Sequence, residues 1–237
     1  MFSIKKLVNF MYSKVFFLYQ PKFYYGELCA YEALLRGVFY EGSIIYYQEL
    51  MSKHKKDLFF NYFIINKVIS DLVKLNCSGI RKHPVSINIS AKFISTLIDV
   101  GQLDLQKINS FNLKLEFNIT EDEKINDFDV CNKNISLLSS FGISVSLVDF
   151  SAEISSLERL SYLNNIKFVK LDKSLTDNIE NNPSQLFQLE TIYRLIKEFK
   201  FEVMAKDVET QDAYYLLIQL GIGYFQGFKF GRPLLIP

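Results

Sequence analysis

Tryptophan is absent from the 237 residues, and histidine, cysteine and proline are scarce, at two, three and five copies. Cys29, Cys77 and Cys131 are odd in number and widely spaced, and neither they nor His54 and His83 form a C-x-x-C or Cys/His cluster. That argues against a disulfide framework or a zinc site and for a reducing compartment. No G-x-G-x-x-G turn follows any apolar run, so the phosphate fingerprint of an open doubly wound sheet is missing. Neither sign of charge dominates: 27 Lys and Arg against 26 Asp and Glu leave +1, and no global field recruits nucleic acid or an anionic membrane. No uncharged apolar run approaches about 18 residues. Lys5, Lys6 and Lys14 interrupt the apolar patches of the N-terminus, which reads as an amphipathic helix followed by a strand. A cytoplasmic protein without a transmembrane segment is expected, a peripheral membrane contact through that helix being the lesser alternative.

What is present is ample core material: 49% of residues are hydrophobic and 22% charged. No linker, repeat or low-complexity stretch marks a boundary, so residues 1–237 are expected to form one domain. Ile143 to Leu147 and Ile166 to Leu171 are strand-like runs around a helix-like segment, and polar groups follow each: Asp149 after the first, Lys170 and Asp172 at the end of the second. This is a βαβ unit with its charges at the carboxyl ends of parallel strands.

Before it, Val15 to Tyr19 runs into Gln20-Pro21, and Glu27 to Leu35 follows a Tyr-Gly turn, which predicts an antiparallel hairpin. Apolar spacing from Ile44 to Leu75 predicts two helices with Asp57 capping the second, and His54 falls in a solvated KHKK run. Strands VSINIS and LKLEFNI follow, the first leading into a helix AKFISTLI, then a helix from Asp127 to Phe141. After the central unit come a helix from Gln185 to Phe199, the strand FEVMA, a helix from Thr210 to Leu220 and a short strand around Tyr224 to Gln226. A hairpin and six further strands, alternating with helices, suffice to close an eight-stranded barrel.

In a barrel the polar residues at the strand ends converge on one mouth: Glu32, Asn88, Asn118 with Glu121, Asp149, Lys170 with Asp172, Lys206 with Glu209, and Gln226. Such oxygen donors suit Mg²⁺, Mn²⁺ or Ca²⁺, and a lysine among them suits a phosphate. Taken singly, each is also an ordinary cap or solvated strand end.

The run Tyr31-Glu32-Ala33-Leu34-Leu35-Arg36, preceded by Tyr19-Gln20-Pro21 and followed in order by SINIS, NITE, VDF, KLDKS, VET and GYFQGFKFGRP, resembles the EAL domain from about Val15 to Pro233. That resemblance implies a modified (β/α)8 barrel with an antiparallel first strand, whose active members hydrolyse cyclic di-GMP, and a stand-alone domain here. By matching motifs, it implies that Glu32 and Asn88 stand at metal-ligand positions and Asp149 at the second of two paired aspartates. It further places Lys170 near the attacking water, Gln226 in the site, and Glu121 as the brace of the loop after the fifth strand. Glu209 belongs to the V-E-T motif. Gln20 and Arg36 line the dinucleotide site, with Asp172, Lys206 and Gln226 as further candidate contacts.

The departures from the family pattern are Asn118 for a metal-binding glutamate, Val148 for the first paired aspartate and Lys206 for another glutamate, with Ser151 and Glu153 replacing loop glycines. Together the first three make the mouth four charge units more positive, as much charge as two divalent ions carry. An ammonium at Lys206 would repel Mg²⁺ by roughly 4 kcal/mol per unit-charge pair at 4 Å and an effective dielectric near 20. Glu116, two residues before Asn118 on the same strand face, is a replacement carboxylate, but lies about 6 to 7 Å deeper. The expectation is therefore a catalytically inactive EAL-like regulator with no Mg²⁺ or Mn²⁺ cofactor and no direct nucleic-acid contact. It would act on a protein partner such as a transcription factor. A metal-independent cyclic di-GMP receptor and an active phosphodiesterase are the alternatives.

Overall fold

A computed structural model describes residues 15–38, 44–46, 57–75, 79–120 and 124–235. The expected N-terminal helix, His54, Cys77 and Glu121 lie outside those residues.

Strand β1 (Val15–Tyr24) pairs antiparallel with β2 (Glu27–Val38), as the Tyr25-Gly26 turn demands, and the short β3 (Ile44–Tyr46) pairs with the end of β2. From β2 the sheet runs in parallel through β4 (Val85–Ile89), β5 (Leu115–Ile119), β6 (Ser144–Phe150), β7 (Ile166–Leu171), β8 (Glu202–Ala205) and β9 (Tyr224–Phe225). β9 returns antiparallel to β1 at Phe23 and Tyr24, closing a ring of eight strands. This is the α/β barrel with an antiparallel first strand.

Three local expectations are corrected. β1 does not stop at Gln20-Pro21 but continues to Tyr24. Pro21 is tolerated because β1 meets β9 only from Phe23 onward, so no ladder bond is needed from its missing N–H. Residues Ile44–Tyr46 form strand, paired at Arg36 to Val38, where helix was expected; β-branched and aromatic residues suit a pleated surface. The helix after β4 covers only Ala91–Ile94. Ser95 and Thr96 turn their hydroxyls back onto the Ala91 and Lys92 carbonyls, at 2.8 and 2.9 Å, offering the backbone an alternative to further helix.

The helices that cover the barrel start where caps dictate. Asp57 accepts from the Phe59 amide to open α1 (Leu58–Lys74), the Ala91–Ile94 turn being α2. Leu105–Ser110 forms α3. Asp127 caps α4 (Phe128–Ser140), α5 spans Ile154–Tyr162, and Asp172 caps the short α6 (Lys173–Thr176). Asn182 and Thr210 cap α7 (Pro183–Glu198) and α8 (Gln211–Gln219).

Alternation along the strands divides the interior in two. Ile87, Ile89, Phe117, Leu147, Val169, Leu171 and Phe225 face the helices and build the main core with Phe60, Ile64 and Ile65. The other face of each strand lines the lumen: Gln20 and Lys22, Glu32, Ser86 and Asn88, Glu116 and Asn118, Ser146 and Val148, Phe168 and Lys170, Met204.

Candidate functional site

Lumen residues from adjacent strands are brought into register by the parallel ladder, with Glu32 opposite Ser86, Ser86 opposite Glu116, and Asn88 opposite Asn118. The result is one connected polar network. Both oxygens of Glu32 accept hydrogen bonds, Oε1 from Asn88 at 3.0 Å and Oε2 from Gln226 at 2.8 Å. Gln226 also donates to Gln20 at 2.9 Å, and Gln20 donates to the Gly231 carbonyl at 3.2 Å. Asn118 donates to Asn88 Oδ1 at 2.8 Å and to Ser86 at 3.3 Å. Its own carbonyl oxygen accepts from the Lys170 ammonium at 2.5 Å.

Below this layer lies a triad that sequence reasoning finds only in part. Lys170 is fully buried and bonded to Glu116, whose carboxylate also stands 3.9 Å from Lys22 Nζ. Lys22, 1% exposed, donates to Ser86 Oγ at 2.6 Å. Glu116 is legible as a lumen carboxylate; Lys22 escapes, because Pro21 just before it reads as a strand end. Strand alternation carried on from Gln20 would have placed it.

Above, at the mouth, Lys206 Nζ bonds Asp149 Oδ1 at 2.5 Å, linking the end of β6 to the end of β8 across β7. Asp149 reaches it from a left-handed backbone, φ 59°, which aspartate tolerates better than most residues. Val148 is buried, 2% exposed. Arg36 lies half-buried on β2 and donates to the Leu35 carbonyl at 2.8 Å. Asp172 spends a carboxylate oxygen on the Ser174 amide at 2.8 Å as a helix cap, and Glu209 stands exposed at the rim, 3.3 Å from Lys173. Glu32, Asn88, Asn118, Lys170, Gln20 and Gln226 are thus brought together, with Lys206 and Asp149 paired over them.

The charges inside the barrel compensate one another. Burial alone would raise the Glu32 and Glu116 carboxyls, but the ammonium groups of Lys22 and Lys170, with Lys206 beside Glu32, outweigh it and hold both at about 2. Burial would lower Lys206, yet Asp149 and Glu32 keep its ammonium above the ordinary lysine range. Lys22 goes the other way. Burial and the neighbouring Lys170 charge depress it to about 7, against the pull of Glu116 and Glu32.

A base depressed in the folded state binds fewer protons there than when unfolded, so stability rises with pH between the folded value near 7 and the ordinary lysine value. The expected slope from Lys22 is up to about 1.4 kcal/mol per pH unit. Urea unfolding at pH 7, 8 and 9 should show that slope as a difference between the native chain and Lys22→Met. Equal slopes in the two proteins would show that Lys22 is not the group responsible.

Both Glu32 oxygens face amide N–H groups, Asn88 and Asn118 oxygens face an N–H and an ammonium, Asp149 faces an ammonium, and Val148 has no lone pair to offer.

The family model described as the EAL domain matches residues 9–233. The chain is 27% identical over 222 residues to the cyclic di-GMP phosphodiesterase PdeR of Escherichia coli, covering 91% of this chain and 33% of that protein. It is 32% identical over 155 residues to the signaling protein YkoW of Bacillus subtilis, covering 63% of this chain and 19% of that one. The chain therefore spans a third or less of these relatives. Among solved structures, the FimX EAL domain from Pseudomonas aeruginosa bound to c-di-GMP superposes with a TM-score of 0.79 at 18% identity, covering 97% of this chain and 94% of that one. The PaMucR phosphodiesterase in complex with c-di-GMP gives 0.78 at 22% identity, covering 98% of each. Among the described residues, no helix is long and apolar enough to cross a membrane.

Proposed function

The chain belongs to the EAL domain family, and from that premise we propose that its barrel is a catalytically silent regulator that acts by contact with another protein, a transcription factor being one such partner. One observation carries this reading: Lys206 sits on Asp149 at 2.5 Å, putting a fixed ammonium where two-metal phosphodiester hydrolysis needs carboxylate-bound cations to generate hydroxide. Lys170 is likewise engaged, by Glu116 and Asn118, and buried beneath the network rather than exposed to an attacking water. A barrel that neither holds ions nor frees a base has its outer surface left to act with.

A second reading has its own support. Two of the superposing structures hold c-di-GMP, and here Lys206 and Arg36 are cations at the mouth that could meet phosphate without a metal. Calorimetric titration with cyclic di-GMP, with and without Mg²⁺, separates the readings. Absence of heat in both is expected for the protein-binding regulator, and metal-independent heat makes the chain a receptor. Release of linear dinucleotide in the presence of Mg²⁺ or Mn²⁺ would overturn both.

A further inference from the structure

A small hollow lies at the end of the barrel away from the mouth, where β8 and β9 begin and β1 ends. Its volume is about 60 Å³, against the roughly 30 Å³ that one water takes up in the liquid, so it admits a small polar head group and nothing as large as a nucleotide. Four tyrosines line it: Tyr24 at the end of β1, Tyr25 in the turn that follows, Tyr193 on α7 and Tyr224 at the start of β9. Lys197 and Glu202 are the charged residues in its lining among the described ones.

The tyrosines are fixed by close approach to bare backbone. The Tyr25 amide donates to the Gly223 carbonyl at 2.9 Å, and a Cβ at Gly223 would stand 2.6 Å from the Tyr25 ring. The Tyr193 hydroxyl donates to the Gly221 carbonyl at 3.0 Å, in space that a Cβ at Gly221 would also invade. Tyr24 packs edge to face on Tyr25 with ring centroids at 4.8 Å, and leans on Tyr224 at 4.5 Å. The hollow is therefore preformed, and little ordering is required of it when a ligand enters.

Its lining is rich in acceptors. Tyr193 spends its proton on Gly221, so its oxygen has only lone pairs to offer, Glu202 adds a carboxylate, and tyrosine rings attract cations to their faces. Burial, helped by the Glu202 charge, raises the Tyr193 and Tyr224 hydroxyls above the ordinary tyrosine range, so both stay neutral within the carboxylate's field. The group already present shows what fits. Lys197 Nζ reaches Glu202 at 3.5 Å with the two side chains 38% and 53% exposed, and an ion pair so open to water contributes little. It is a tethered ammonium that a free one can displace.

We propose that this hollow binds a primary alkylammonium group, with Glu202 as its counter-charge, the tyrosines as its walls and Lys197 as a built-in competitor. Two sources carry that group, a small aliphatic diamine and a lysine side chain of another protein. The site stands apart from the mouth and does not depend on the reading given above for it. Titration of the whole chain with cadaverine, followed in the ring resonances of isotope-labelled tyrosine, should move the signals of Tyr24, Tyr25, Tyr193 and Tyr224 saturably, and less at high salt. Lys197→Ala should tighten binding about fivefold and Glu202→Gln should weaken it about fivefold. A damaged fold would not move the two in opposite directions. Pentanediol, which has the same length without the charge, and the bulkier tetramethylammonium should leave the signals in place. Blocked lysine binding more tightly than cadaverine assigns the group to a protein side chain, and the reverse assigns it to a free diamine. Absence of a saturable shift in the native chain, an equal response to the diol, or an affinity that Glu202→Gln leaves unchanged would each overturn the site. So would weaker binding by Lys197→Ala.

Discussion

Glu116→Gln should cost the protein about 3–5 kcal/mol of unfolding free energy and lower Tm by on the order of 10 °C. In the native chain one carboxylate faces two buried amines, bonded to Lys170 and 3.9 Å from Lys22. Neutralising it leaves the Lys170 cation, and Lys22 in its protonated form, in a packed lumen with only the Glu32 carboxylate, itself bonded to Asn88 and Gln226, to offset them, and a buried charge that has lost its partner is among the most damaging single lesions. Adding Lys170→Met to the same chain should recover much of the loss, because a buried pair removed as a unit is often close to neutral. Acid should close the gap between native chain and single variant. Glu116 is held at about 2 in the folded state, below its ordinary value. Its contribution is therefore complete above about 4.5, and is lost as pH falls from there toward 2. Melting curves at pH 7, 4 and 2.5 for the three proteins test this. A single variant as stable as the native chain at pH 7 would mean that Glu116 does not carry the lumen charge.

The barrel was legible in the sequence wherever strand alternation and turn chemistry agreed. The polar residues that end the apolar runs, Glu32, Asn88, Asn118, Lys170 and Gln226, do meet in one network. Less legible was what they would meet. Lys22 lies one residue past a proline that looks like a strand end, yet β1 continues because its partner strand makes no demand on Pro21. The Asp149 to Lys206 pair joins strands that are not neighbours, and it depends on barrel closure and on a left-handed residue that no local pattern announces. Short elements also escaped, since a three-residue strand such as Ile44–Tyr46 has too little period to separate from helix. Ser86 reads as an unremarkable strand residue; only the cross-strand register reveals that it accepts from Lys22 and Asn118.

Restoring three acids should restore an affinity for metal. In the variant carrying Asn118→Glu, Val148→Asp and Lys206→Glu, the mouth gains three carboxylates and loses one ammonium, four charge units in all, and the freed Asp149 carboxylate stands beside the new aspartate. Glu32 then needs only to turn one oxygen from Asn88 or Gln226 to complete an oxygen cage of the kind that Mn²⁺ accepts. Calorimetry should show Mn²⁺ binding at least tenfold tighter than in the native chain, about 1.4 kcal/mol or more. Lys206→Glu alone should account for the first part of that gain, since it both removes the repelling ammonium and releases Asp149. In that single variant without Mn²⁺, the introduced carboxylate and Asp149 would face each other as like charges, so added Mn²⁺ should raise its Tm while leaving that of the native chain unchanged. If the triple variant binds no more Mn²⁺ than the native chain, then Asn118, Val148 and Lys206 do not share a site with Glu32 and Asp149. The account of the mouth as a metal cage refilled with its own cations would then be wrong.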